Sequence, residues 1–337
     1  MRAGRRDGDG HDGAGFGGGT GARRAEEFQD LRSLLFSIAY RILGSVSEAE
    51  DAVQETWLRY EATPTEPASA KAFLSATVTR IAIDVLRSAR VRREAYVGPW
   101  FPEPLLDDPY TDPERSAELA DSVSMAALLL LERLSPLERA VFVLREVFGF
   151  GFPEVAAAVG RSEAASRQLA VRARRHMNAG RPRFEADRAD RERLAGRFLD
   201  AFRDGDVAAL TALLAADVQL VADAGGKAPR WDDRFVGHGD VARALVRLLE
   251  MFPRIGATVE PHQVNGRPGA IFRDRDGGVL NIWSLDVLDG RIQTIRTVSN
   301  PDKLGHVGPV ADIWAAFREA NRDAGTEPAR DRSSSPG

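Results

Sequence analysis

Residues 134–177 read LSPLERAVFVLREVFGFGFPEVAAAVGRSEAASRQLAVRARRHM, and local chemistry places three helix starts within them. Ser135 followed by Pro136 and Glu138 opens one helix, Pro153 opens a second, and Ser162 caps a third running to about Met177. Gly160 supplies the tight turn between the last two, and the small Ala156 suits a close helix crossing. The spacing predicts a helix-turn-helix. On its last helix Ser166, Leu169, Ala170, Ala173 and Met177 share an inward face, while Arg167, Gln168, Arg172, Arg174 and Arg175 point outward or flank a groove. Six arginines stand against one acid, Glu163, between Arg161 and Arg181. A helix that approaches phosphates needs such a surplus. A solvated basic helix of an ordinary bundle has the same pattern, so weight passes to the rest of the chain.

A second basic run, TRIAIDVLRSARVRRE at 79–94, sets Arg80, Arg87, Arg90, Arg92 and Arg93 against Asp84 and Glu94. It ends a helix expected over about 70–93, whose apolar face is Phe73, Leu74, Val78, Ile81 and Val85. The preceding helix, SEAEDAVQETWLRY, reads as starting with a capping box of Ser47 and Glu50. Its apolar stripe is Ala49, Ala52, Val53, Trp57 and Tyr60, leaving Asp51, Gln54, Glu55 and Leu58 on an adjoining face. Before it, Leu31, Leu34, Leu35, Ile38, Ile42 and Leu43 keep helical spacing until Gly44. Between the two basic helices lies YVGPWFPEPLLDDPYTDPE, residues 96–114, where five prolines and several acids predict an irregular linker. Its Trp100, Phe101, Leu105 and Leu106 suggest that it docks.

Beyond residue 188 the periodicity changes. Two amphipathic helices (about 188–204 and 206–215) precede strand-like runs VQLVAD, TVEPHQV, GAIFRD, VLNIWSLDVL and RIQTIRTVS, with a helix near 239–251 after the first. Asp289-Gly290 reads as a hairpin turn. This is an α+β unit, expected as a curved antiparallel sheet wrapped on helices. After VQLVAD comes AGGK, which invites comparison with a phosphate loop. With Gly226-Lys227 as its Gly-Lys pair, however, Val221 takes the earlier glycine position and Ala228 follows the lysine, so no nucleotide-binding loop results.

Composition sets the remaining bounds. A chain of 337 residues with 43% hydrophobic content can build two or three small cores, and a net charge of −4 leaves nucleic-acid binding to local clusters. With no cysteine and five scattered histidines, neither disulfides, a metal site nor any cofactor is expected. No signal peptide or membrane-length apolar run stands out, which predicts a cytoplasmic protein without membrane contact. The domain reading is a disordered tail at 1–27, a helical domain at 28–96, a Pro-rich linker at 97–123, the helix-turn-helix domain at 124–181, the α+β domain at 188–305, and a short helix with a disordered tail at 306–337.

In this order, SEAEDAVQETWLRY, AFLSATVTRIAIDVLRSARVRRE and the helix-turn-helix, residues 28 to about 180 resemble the extracytoplasmic-function (ECF) sigma factors of bacterial RNA polymerase. GPWFPEPL, DAGGK and NPDKL are similar to motifs of the subgroup with a SnoaL-like C-terminal extension, which carries the resemblance to about residue 305. The fold implied is two all-α sigma domains followed by a cone-shaped α+β domain. The partners implied are core RNA polymerase, through its β′ clamp and β subunits, and promoter DNA; a small-molecule ligand in the C-terminal cavity is left open. By this resemblance Asp51, Gln54, Glu55 and Leu58 dock on polymerase. Arg80, Arg87, Arg90, Arg92 and Arg93 meet the opened −10 element. Arg161, Arg167, Gln168, Arg172 and Arg175 meet the −35 element, where Arg pairs with guanine and Gln with adenine. Trp100, Pro102, Asp223, Gly225, Gly226, Lys227, Asn300, Pro301, Asp302, Lys303 and Leu304 become candidate regulatory residues, holding the extension against the sigma domains.

The chain departs from the family at Arg80, where an asparagine is common, at Ser166, where a β-branched apolar residue is usual, and at Ala224 in DAGGK. Two other functions stay open at this point. One is a ligand-sensing helix-turn-helix regulator acting without core polymerase. The other is an enzyme of the SnoaL type, for which Asp223, His238 or Asp286 would supply the acid or base, with Trp231 or Trp283 lining a pocket.

Overall fold

The computed structural model describes residues 18–94, 96–180, 187–227, 234–312 and 315–316, and of residues 18–20, 89–94, 115–118 and 180 only the backbone. Of the expected tails, residues 1–17 and 317–337 lie outside the described residues, as does Trp231.

Helix α1 (Gly18–Leu43) ends where Gly44 turns the backbone to φ 70°, and α2 (Val46–Glu61) follows at once. Two expectations need correction here. Residues 18–27 are helical and docked rather than part of a tail: Tyr60 Oη donates to Glu27 at 2.6 Å, and Phe28 packs its ring 5.0 Å from that of Trp57. The cap of α2 is Ser45, not Ser47: the turn at Gly44 leaves Ser45 extended, with its hydroxyl accepting from the Glu48 N–H. Helix α3 (Ala70–Glu94) completes the first domain. The linker is irregular only in its first part, since a 3₁₀ turn (Pro113–Arg115) leads into α4 (Ser116–Val123), then α5 (Met125–Leu131). Proline at the first turn of a helix is compatible with helical φ, which is why Pro113 does not exclude one. Helix α6 (Pro136–Phe142) runs on through a π turn at Val143–Val147, followed by α7 (Phe152–Val159) and α8 (Glu163–Gly180).

The helical domains are not separate bodies. Leu35, Ile38, Ile42 and Val78 from the first share one buried apolar core with Val141, Leu144, Val155 and Ala170 from the second, and α3 packs on α6 and α7.

The C-terminal unit contains α9 (Arg188–Asp204), α10 (Val207–Leu213), β1 (Leu214–Asp223), β2 (Arg234–Val236), α11 (His238–Met251), β3 (Thr258–Val264), β4 (Arg267–Arg273), β5 (Val279–Leu288) and β6 (Arg291–Val298). Its six strands lie in the order β2-β1-β6-β5-β4-β3. The sheet is not wholly antiparallel as expected: β1 and β6 run parallel, with Leu220 opposite Ile295. A parallel pair needs a long crossover, and everything from β2 to β5 supplies it. Strand β2, three residues long, is too short to show a period in sequence. Asp289 (φ 50°) and Gly290 (φ 69°) form the expected hairpin turn, and Asn265 (φ 53°) with Gly266 (φ 65°) forms a second between β3 and β4.

Period-2 alternation gives the sheet two apolar faces. One is covered by helices and filled by Phe202, Phe252, Phe272 and Trp283, with Phe272 and Trp283 centroids 4.5 Å apart. The other presents Ile271, Ile282 and Val298, together with Leu304 from the turn after β6, to Phe101 of the linker and Met125 of α5. An outer face so covered joins the extension to the sigma-like part.

Candidate functional site

Helix α6 begins with a complete capping box: Ser135 Oγ accepts from the Glu138 N–H at 3.3 Å, while Glu138 Oε2 accepts from the Ser135 N–H at 3.1 Å. The other carboxylate oxygen accepts from Arg172 Nε at 3.0 Å, tying α6 to α8. Burial pushes the Glu138 carboxyl up, but the Ser135 and Arg172 bonds outweigh it and hold the group below the usual glutamate range. Gly160 ends α7 in the left-handed region, and Ser162 Oγ accepts from the Ala165 N–H at 3.2 Å to start α8. Ser166, Leu169, Ala170, Ala173 and Met177 are buried, and Arg161, Arg167, Gln168, Arg172, Arg174 and Arg175 exposed. Several of these arginines are held by local acids, Arg167 by Glu163 at 2.7 Å and Arg174 by Glu146 at 3.1 Å.

On α3, Arg80 donates through Nη2 to the Ala157 carbonyl of α7 at 2.7 Å, and Arg87 pairs with Asp84 at 3.2 Å. Arg90, Arg92 and Arg93 stand on its last turns, where the side chains lie outside the described residues. On α2, Asp51, Gln54 and Leu58 are exposed and Glu55 half-buried beside Arg59; Leu58, at 52% exposure, is a large apolar side chain left facing solvent. These residues form one open face.

The three loop motifs converge on one joint. Asp223, fully buried at the end of β1, accepts from the Phe101 N–H at 2.8 Å, from Lys303 Nζ at 2.7 Å and from the Tyr96 hydroxyl. The Lys303 ammonium also bonds to the Phe101 carbonyl and sits 4.7 Å from the Tyr96 ring centroid and 4.4 Å from that of Trp100. Asn300 Nδ2 donates to Tyr96 Oη at 2.8 Å, and Lys227 pairs with Asp302. Pro301 starts the 3₁₀ turn that carries Lys303, and Leu304 is fully buried beside Phe101. Gly225 is required: at φ 56° a Cβ there would lie 2.4 Å from Asn300 Nδ2, and Gly226 meets Val97. Trp100 also lies over Gly44, where a Cβ would come within 3.2 Å of it, and Pro102 is buried next to it.

Sequence reading missed the residues that complete this joint. Tyr96 gives no signal, being one aromatic at a helix end. Glu103 accepts from the Val46 N–H at 2.7 Å and the Ser47 N–H at 3.2 Å, so a linker acid caps α2 from afar. Buried Arg41 reaches Asp108 at 2.8 Å, Ser122 and the Leu119 carbonyl, which fastens the linker and α4 to α1. Asn265-Gly266, a turn dipeptide not singled out from the sequence, makes the hairpin's contacts.

The residues nominated for catalysis do not meet. Asp223 is used up in the joint, His238 Nε2 lies 2.9 Å from the Thr211 carbonyl at the start of α11, and Asp286 is paired with Arg296. Trp283 faces the aromatic-filled interior, whereas Asp286, an odd number of residues along the same strand, faces the other side.

Among known families, residues 28–92 match Sigma-70 region 2, residues 124–177 match Sigma-70, region 4, and residues 195–298 match the SnoaL-like domain. The chain is 38% identical to the ECF RNA polymerase sigma factor SigJ of Mycobacterium tuberculosis over 288 residues, 82% of this chain and 92% of the relative. It is 30% identical to the probable ECF RNA polymerase sigma factor SigI of the same species, over 81% of this chain and 92% of that one. The crystal structure of the Mycobacterium tuberculosis SigJ protein superposes with a TM-score of 0.66 at 34% identity, covering 85% of this chain and all of that one. A region-2 domain does not favour a regulator working without polymerase. The chain therefore belongs to the ECF RNA polymerase sigma factors, with a SnoaL-like domain following its two sigma domains.

Proposed function

We infer that this sigma factor docks on polymerase through the Asp51, Gln54, Glu55 and Leu58 face of α2, presents α3 to the −10 element and α8 to the −35 element, and is modulated in cis by its SnoaL-like domain. The observation that carries the reading is the contact of α3 with α7. Arg80, a residue for promoter DNA, is engaged with the backbone of the helix-turn-helix, and both sigma domains bury one shared core. Elements named for positions about 25 base pairs apart are roughly 85 Å apart on B-DNA at about 3.4 Å per pair. Two domains packed on one core cannot reach both. The arrangement is a closed form in which the α2 face stays open, and the joint around Asp223 and Lys303 anchors the extension to the linker that must move.

The test is promoter-dependent transcription in vitro with core polymerase, for the parent protein and for Asp51→Lys. The parent should initiate. Asp51→Lys, on an exposed site, should keep its fold yet lose core binding by at least about tenfold, as expected for reversing a charge at an interface. Unchanged co-purification with core would remove α2 from the docking surface. Leu304→Ala and Lys227→Ala should shift promoter activity if the extension acts in cis, and parental activity in both would reject that part.

A further inference from the structure

The geometry points to the tip of the β3–β4 hairpin, Asn265-Gly266-Arg267, as a latch that holds the closed form, at a place distinct from the Asp223 joint. The inference rests on the cis modulation proposed above.

Asn265 is 1% exposed, although an Asn-Gly hairpin turn requires nothing of its side chain beyond tolerance of positive φ. Its side-chain amide and its backbone N–H go to the sigma side. The amide Nδ2 donates to Tyr40 Oη of α1 at 2.7 Å and to the Val123 carbonyl at the end of α4 at 3.1 Å, which uses both of its protons. The Oδ1 accepts from the Leu105 N–H of the linker at 3.2 Å, and the Asn265 N–H donates to the Leu105 carbonyl at 2.7 Å. One residue of the extension thus grips the first sigma domain, the linker and the entry to the second. The seat is tight on either side: a Cβ on Gly266 would lie 3.2 Å from the Ala120 carbonyl, and Arg267 pairs with Asp121 at 3.2 Å. Tyr40 donates its own proton to the Glu103 carbonyl at 2.7 Å, and the Glu103 carboxylate caps α2. The hairpin therefore reaches the start of the polymerase-facing helix in two steps. In an open form water replaces these bonds, so they favour the closed form alone.

The chain has no cysteine, so cysteines introduced at the exposed Glu61 of α2 and Ala164 of α8 take a dye pair uniquely in the full-length protein, and single-molecule energy transfer reads the separation of the sigma domains. Asn265→Gly is the informative variant, because glycine keeps the turn while three side-chain bonds are deleted. The population at long separation should rise at least about tenfold over the parent. Tyr40→Phe, which deletes one of the Asn265 bonds from the other side along with the Tyr40 bond to the Glu103 carbonyl, should also raise this population. Circular dichroism checks that each variant is folded, and should Asn265→Gly fail to fold, Tyr40→Phe decides alone. A parental distance distribution in the folded variants overturns the latch. A larger open population with parental core-dependent transcription would leave the latch standing and remove the cis-modulation reading instead.

Discussion

Lys303 and Asp223 show how a single ion pair is made to count. Both side chains are almost entirely buried, the ammonium between two aromatic rings and the carboxylate under two further donors, so neither charge has water to fall back on. Removing one partner of such a pair strands the other, at about 3–5 kcal/mol, whereas neutralising both together is far milder. Lys303→Met should therefore lower the thermal midpoint more than the double change Lys303→Met with Asp223→Asn, in which the amide oxygen can still accept from Phe101. A double change that adds the two losses would show that the pair is not coupled. The same burial, with the hydrogen bond to Asp223, pushes the Tyr96 hydroxyl upward, so it remains a donor across the physiological range.

Helices α6 and α8 act as one unit because Glu138 caps the first and grips Arg172 of the second. Its carboxyl is held below the usual glutamate range, so it stabilises the fold at pH values above about 4.3 and loses that contribution as pH falls through its lowered value. Glu138→Gln keeps an acceptor for the capping box but reduces its charged bond to Arg172 to a neutral one, so it should cost about 1 kcal/mol at neutral pH, and the difference from the parent should vanish in strong acid. Thermal unfolding between pH 2 and 7 reads it, and a pH-independent difference would rule out the carboxylate as the cause. On the outward face of α8 the proposed roles predict different losses. Arg167→Ala or Gln168→Ala should cost about 1–3 kcal/mol at one −35 position and relax preference there, while Arg175→Ala should weaken all sequences alike and flatten the salt slope. Equal losses on specific and scrambled DNA for Arg167 and Gln168 would put the register of the helix in error.

For the molecule as a whole, the closed form proposed above predicts a change of shape on the promoter. A closed chain of this length should scatter X-rays with a radius of gyration of about 20 Å. Loaded on polymerase and promoter, the same dye pair on Glu61 and Ala164 should move to much longer separation. Cutting the chain after Gly180 removes both the joint and the hairpin and bares Phe101 and Met125, which now pack on Leu304 and Ile282. The truncated protein should bind hydrophobic dyes more strongly, and its promoter activity should differ from the parent by an amount unlike that of either single-loop variant. Equal activity in truncated and full-length proteins would mean that the extension plays no part in initiation.

Local chemistry was enough for the helix-turn-helix, since Ser135, Gly160 and Ser162 act within a few residues of themselves, and for the strands β3 and β5, whose bounds, Thr258–Val264 and Val279–Leu288, coincide with the strand-like runs TVEPHQV and VLNIWSLDVL. It was enough also to single out DAGGK and NPDKL, because glycines and an Asn-Pro turn are conspicuous wherever they stand. Tertiary structure alone decided what those loops face. The cap of α2 moved to Ser45 with Glu103 above it, the parallel pairing of β1 with β6 joined the two parts of the sheet, and Asn265 found Tyr40, which lies 225 residues away in the chain. Hydrogen bonds of this reach leave no period and no spacing behind them; their geometry exists only once the helical domains and the sheet have packed.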